Sequence, residues 1–153
     1  MSTDPKHIRN VVLLGHSHCG KTSMIEAMLY ESKAITRRGT VEAGNTVSDF
    51  SDIEQERRGS LFSKLMHVNW KESKINIVDT PGSDDFVGEI LSSMKVSDLG
   101  IMVLNAAHGV EVGTELIWEY KEKFQLPGMF VINQCDHEKA DFDLSVEQIT
   151  SRF

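Results

Sequence analysis

The eight residues Gly15-His16-Ser17-His18-Cys19-Gly20-Lys21-Thr22 hold the spacing G-x-x-x-x-G-K-[ST]. This spacing suits one chemistry. The glycines let a loop curl its backbone N–H groups round a phosphate, and a helix starting just after them adds its partial positive charge. Lys21 has the reach for the outer phosphates, and Thr22 can give its hydroxyl to Mg²⁺, with Ser23 next on the helix. The same loop also admits a metal site made from His16, His18 and Cys19. Consecutive loop residues cannot all aim at one tetrahedral ion, and no second ligand pair stands elsewhere in the chain. Phosphate binding is the stronger reading.

Two more strand ends carry chemistry. Asp79-Thr80-Pro81-Gly82 closes the apolar Ile77-Val78. A carboxylate there can hold Mg²⁺ through a water, while the Gly82 N–H can face a terminal phosphate and report its loss. Taken alone, the same residues would read as an Asp in a tight Pro-Gly turn. Asn133-Gln134-Cys135-Asp136 follows the apolar Met129 to Ile132. The Asp136 carboxylate can accept from both N1–H and N2–H₂ of guanine, a donor pair that adenine lacks. Three motifs in this order point to GTP or GDP with Mg²⁺ rather than to ATP.

The elements between the motifs must hold them in place. Val11 to Leu14 reads as a strand buried on both faces, as parallel strands are. Met24, Ile25, Met28 and Leu29 stripe a helix over 21–32. Residues 33–59 are polar and without periodicity, and a loop that long is usually functional or mobile. Leu61 to Trp70 and Ile75 to Val78 read as an antiparallel hairpin. A helix marked by Phe86, Val87, Ile90, Leu91 and Met94 follows, then a strand at Ile101 to Leu104. Leu116, Ile117, Tyr120 and Phe124 mark another helix, and Asp143 is placed to cap a last one. Strands alternating with helices give an α/β fold: a P-loop NTPase three-layer sandwich, mostly parallel, with one antiparallel edge hairpin. No strand follows the final helix. The chain therefore reads as one domain over residues 1–153, cut before its last strand, at the N-terminus of a longer multidomain protein.

Composition narrows the class. Sixteen basic against 23 acidic side chains leave −7, which argues against gripping DNA through a basic face. Two cysteines suit a reducing cytoplasm better than a disulfide scaffold. No apolar run approaches the roughly 18–20 residues that a membrane-spanning helix needs. A soluble, cytoplasmic monomer is the expectation.

The order G-x-x-x-x-G-K-T, E-Q-E-R-R-G (Glu54 to Gly59), D-T-P-G and N-x-x-D resembles the G domain of translational GTPases, above all elongation factor G. Supporting stretches are Arg9-Asn10-Val11, Met24 to Tyr30, Gly44 to Asp49 and Asp85 to Glu89. The resemblance covers nearly the whole chain. It implies a ribosome-bound GTP switch acting in elongation or translocation, with residues 33–63 as switch I and 80–96 as switch II. Ribosome-protection proteins and release factor 3 share the frame. The family's pattern differs at four positions. The His that orients the attacking water is Ser83 here. The Thr or Ser that closes switch I over Mg²⁺ is Leu61, with Ser60 and Ser63 as shifted hydroxyls. The Lys that stacks over the base is Gln134, and the Asp of the phosphate loop is His18. Lys21, Thr22, Asp79 and Asp136 are retained. The resemblance thus implies a GTPase that holds nucleotide but hydrolyses it weakly, with Ser83, Lys21 and Gly82 at the catalytic positions. A GTP-binding paralogue with dispensable hydrolysis is the second reading, and a P-loop ATPase or kinase the third.

Overall fold

The computed structural model describes residues 4–48, 51–57 and 59–153. Five strands form one sheet: β1 (Ile8–Leu14), β2 (Lys64–Trp70), β3 (Ser73–Asp79), β4 (Leu99–Asn105) and β5 (Gly128–Asn133), in the order β2-β3-β1-β4-β5. β1 pairs in parallel with β3 and with β4, and β4 with β5, while β2 runs antiparallel to β3. This is the expected mixed sheet with an antiparallel edge hairpin.

Five α-helices accompany it among the described residues: α1 (Lys21–Glu31), α2 (Asp52–Arg57), α3 (Val87–Lys95), α4 (Val112–Lys123) and α5 (Phe142–Arg152). Strand alternation sorts them into layers. Val11 and Leu13 of β1 face Ile25 and Leu29 of α1. Val12 and Leu14 face the other way, into a cluster with Ile90 and Met94 of α3 and Ile117 of α4. The central strand is thus buried on both faces, and Val12 and Leu13 are 0% exposed. Burying each such side chain stabilises by about 1.5–3 kcal/mol. Trp118 stacks on Phe130 at 4.8 Å between ring centres, and Phe153 packs against both, which holds the end of α5 to the sheet.

Two local expectations are corrected. The last helix is capped by Asp141, not Asp143: the Asp141 carboxylate accepts from the Leu144 N–H, and Asp143 sits in the first turn. An N-cap side chain must reach back over the N2 or N3 amide, and only Asp141 stands at that offset. Secondly, the segment expected as loop between 33 and 59 contains α2. Ser51 and Glu54 form its start: the Glu54 N–H meets the Ser51 carbonyl at 3.1 Å, and the Ser51 hydroxyl donates to Glu54 Oε2 at 2.8 Å. Ser-x-x-Glu is a helix-start signature, hidden here because the turn behind it lacks an apolar stripe. Asp49 and Arg58, in two of the stretches that carry the resemblance, lie outside the described residues.

The segment is tied to the sandwich by two buried carboxylates. Glu26 of α1 (1% exposed) accepts from the Gly39 N–H at 2.9 Å and from the Val47 N–H. Glu54 (0% exposed) accepts from Lys64 Nζ at 2.5 Å and from the Leu61 N–H at 2.8 Å. Burial alone would push the Glu54 carboxyl up; the hydrogen bonds from Lys64, Leu61 and Ser51 outweigh it and hold the group below its ordinary value of 4.5. A carboxyl held low in the folded state stabilises above its unfolded-state value, and that contribution is lost as pH falls through the folded value. Glu54→Gln should cost about 1–3 kcal/mol at pH 7 and flatten the decline of the urea midpoint below about pH 4.5. Equal pH slopes for the two proteins would contradict the assignment.

Candidate nucleotide-binding site

The first motif forms the link between β1 and α1. Gly20 holds a left-handed backbone, φ +92°, at the N-cap of α1 and supplies no side-chain cap. The first-turn amides of α1 therefore lack a side-chain acceptor at the mouth of the loop. A Cβ at Gly20 would stand 2.3 Å from Asn133 Nδ2, so glycine is required on two counts.

Lys21 is 6% exposed. Its Nζ donates to the Gly15 carbonyl at 2.8 Å and the His16 carbonyl at 2.9 Å, with Cys19 Sγ at 3.9 Å. Among the described residues no carboxylate pairs with it. A buried ammonium hydrogen-bonded to neutral carbonyls is a group that an anion can partner. Cys19 lies beneath the loop, 1% exposed, where burial pushes its thiol up despite the nearby Lys21.

Thr22 Oγ1 donates to Asp79 Oδ2 at 2.9 Å, joining the start of α1 to the end of β3. Hydroxyl and carboxylate together make an all-oxygen pair, the donor type that hard cations such as Mg²⁺ take. Next along the chain, Thr80 Oγ1 donates to the Leu13 carbonyl at 2.6 Å, fixing the exit of β3 against β1. Gly82 closes on the loop: a Cβ there would stand 2.6 Å from Lys21 Nζ and 2.7 Å from the Ser17 nitrogen. Ser83 caps a short 3-10 turn; its hydroxyl donates to Asp85 Oδ2 at 3.2 Å and accepts from the Asp85 N–H at 3.4 Å.

The third motif also reaches the loop. Asn133 Nδ2 donates to the Cys19 carbonyl and Gln134 Nε2 to the His18 carbonyl, both at 2.9 Å. Two successive loop carbonyls are thus held by two successive strand-end amides. Asn105, at the end of β4, donates to Gln134 Oε1 at 2.6 Å.

These parts surround one cleft of about 440 Å³, lined among others by Ser17, His18, Gly20, Lys21, Thr22, Ser23, Gly82, Ser83 and Gln134. Gly15 and Asp79 are buried beneath it. Asp136 is exposed, does not line the cleft and sits one turn beyond Gln134. Of the switch I positions, Ser60 and Leu61 line the cleft. Ser63 faces α3 instead: its N–H donates to Glu89 Oε2 at 2.8 Å and its hydroxyl to the Glu89 carbonyl at 3.3 Å. His16, His18 and Cys19 do not converge; among the described residues no three His, Cys, Asp or Glu side chains gather as metal ligands. Sequence reasoning missed Asn105, and it gave no role to Glu26 or Glu54, which lie in stretches that carry the resemblance. A polar residue ending the apolar run of β4 was the only signal for the first.

The elongation factor Tu GTP binding domain family matches residues 6–153. The chain belongs to that family. It is 37% identical over 146 residues to a protein named elongation factor G 2 from Borreliella afzelii, covering 95% of this chain and 22% of the relative. It is 39% identical over 147 residues to mitochondrial ribosome-releasing factor 2 of Anopheles gambiae, covering 96% of this chain and 20% of that one. A crystal structure from Thermus thermophilus superposes with a TM-score of 0.91 at 34% identity, over 95% of this chain and 22% of the other. The chain spans about a fifth of the length of these relatives. No described helix is long and apolar enough to cross a membrane.

The loop geometry sets a stability contrast. Gly20→Ala should cost about 1–3 kcal/mol, through left-handed strain and displacement of Asn133. Gly88→Ala, with nothing within 4 Å of its Cβ on α3, should be neutral or stabilise by up to about 1 kcal/mol. Urea unfolding of the two variants measures this, and equal effects would refute the close approach.

Proposed function

We propose that this chain binds GTP and GDP with Mg²⁺ as the switch domain of an elongation-factor-G-like translation factor acting on the ribosome. The observation that carries the reading is the buried Lys21 ammonium, which has no carboxylate partner among the described residues, beside a helix start with no side-chain cap. Lys21 would take the β- and γ-phosphates, and the Ser17 to Gly20 backbone would wrap the β-phosphate. Thr22 and Asp79 would hold Mg²⁺, which supplies charge neutralisation when bound. The Gly82 N–H would face the γ-phosphate, which is supported by the close approach of Gly82 to Lys21 and Ser17. Asp136 would read the guanine edge. A cytoplasmic setting, with Cys19 and Cys135 free, completes the proposal, and the ribosome would be met mainly through parts of the protein beyond this domain.

Hydrolysis is proposed to be weak. Ser83 has a short side chain, engaged with Asp85 as a turn cap. It cannot place an attacking water as an imidazole from the same backbone position would. Phosphoryl transfer depends mostly on positioning and electrostatics, and losing one positioned group commonly costs about 10²–10³ in rate. Leu61, at the cleft wall, brings no hydroxyl to the metal.

Two measurements test these assignments. In competition against a fluorescent GDP, unlabelled GDP should displace the probe and ATP should not, and Asp136→Asn should weaken GDP by about 1.5–3 kcal/mol. Equal competition by ATP would sink the guanine reading. In the full-length protein, Ser83→His should raise ribosome-stimulated GTP hydrolysis at least tenfold, about 1.4 kcal/mol of barrier. A wild-type rate already as fast as that of an ordinary elongation factor G would show that another group positions the water.

A further inference from the structure

The strand-end amides form a chain with a fixed direction. The Ala107 N–H donates to Asn105 Oδ1 at 2.8 Å. With that oxygen engaged, Asn105 Nδ2 must point the other way, and it donates to Gln134 Oε1 at 2.6 Å. This in turn forces Gln134 Nε2 toward the phosphate loop, where it donates to the His18 carbonyl at 2.9 Å. The direction originates in a backbone N–H, which cannot reverse, so neither amide can flip without facing donor to donor or acceptor to acceptor. Asn105 is 9% exposed, so a mismatched group there is not rescued by solvent. The chain ends at a strained place: His18 and Gln134 both hold left-handed backbone, φ 63° and φ 58°. Such conformations persist only where the surroundings hold them.

We infer that Asn105 is a positioning residue of the phosphate loop: it orients the Gln134 amide, which pins the His18 carbonyl and so sets how long nucleotide is retained. This rests on the nucleotide-binding reading above, and it goes beyond it by assigning a role to a residue outside all three motifs. It also accounts for Gln134 itself. A neutral amide at this position works only because its neighbour is an amide of matching polarity.

The inference predicts a polarity swap. Asn105→Asp alone leaves its second carboxylate oxygen facing Gln134 Oε1; relieving that clash turns Gln134 Oε1 onto the His18 carbonyl. Gln134→Lys alone leaves Asn105 Nδ2 facing an ammonium. Together the two changes are compatible. One oxygen of the introduced carboxylate accepts from the Ala107 N–H and the other from the introduced ammonium, which still donates to the His18 carbonyl.

The test is release of a fluorescent GDP from the full chain, with folding checked by circular dichroism. Each single variant should release it at least tenfold faster than wild type, and Asn105→Asp with Gln134→Lys should return to within threefold. Gln134→Met, which keeps the bulk without polar ends, should also release tenfold faster and gain nothing from Asn105→Asp. Wild-type release rates in both singles, or a double variant showing the product of the single effects, would overturn the inference. If wild type binds no guanine nucleotide, the functional reading fails. The positioning role is then judged by the Cys19 amide resonance, which should move in each single variant and return in the double; no movement overturns it.

Discussion

A buried ammonium that donates to two loop carbonyls, with no carboxylate partner among the described residues, governs this molecule. Lys21 is fixed by the first turn of α1, and its Nζ is folded back onto the carbonyls of Gly15 and His16. Burying a charge without a counter-charge costs stability, and proteins keep such an arrangement where a ligand completes it. Every other feature of the cleft follows from holding that loop open. Gly20 and His18 take left-handed backbone so that the chain can turn. Gly82 has no side chain, so β3 can approach. Asn133 and Gln134 anchor the far side. The loop after β1 is therefore braced by the ends of β3, its neighbour, and β5, its next neighbour, in the parallel part of the sheet.

The two buried carboxylates give the structure its second level of order. Glu26 belongs to α1, the helix that carries Lys21 and Thr22, and it holds residues 39 and 47. Glu54 binds Leu61, which walls the cleft, to Lys64 at the start of β2. The segment between α1 and β2 is thus linked to the same helix and sheet edge that frame the site. One tie belongs to α1 and the other to the start of β2, so the segment is held at both ends.

The layering and the sheet were legible in the sequence because parallel strands buried on both faces leave continuous apolar runs such as Val11 to Leu14. The phosphate loop was legible because its glycines and Lys21 have few substitutes. The expectation that Thr22 and Asp79 serve one site rested on type and order, and the fold brings their side chains to 2.9 Å of each other. Other features were hidden for physical reasons. α2 has one apolar residue, Ile53, and so no apolar stripe, and Glu54 ties it to Lys64 and Leu61. Asp141 and Asp143 differ as caps only by backbone conformation, which two aspartates at i and i+2 do not announce. Asn105 is one polar residue after an apolar run, and its partner lies 29 positions away. Hydrogen-bond direction along such a chain is a property of the assembled sheet.

Thermal unfolding of wild type and Lys21→Met, each with and without Mg²⁺ and GDP, tests the central claim most directly. Removing a buried charge that pairs with no carboxylate among the described residues should leave the unliganded variant within about 1 kcal/mol of wild type. Ligand at about a hundred times its dissociation constant should stabilise wild type by about 2.7 kcal/mol and the variant not at all. A wild-type midpoint that does not move with Mg²⁺ and GDP, or a variant that moves as far as wild type, would contradict it.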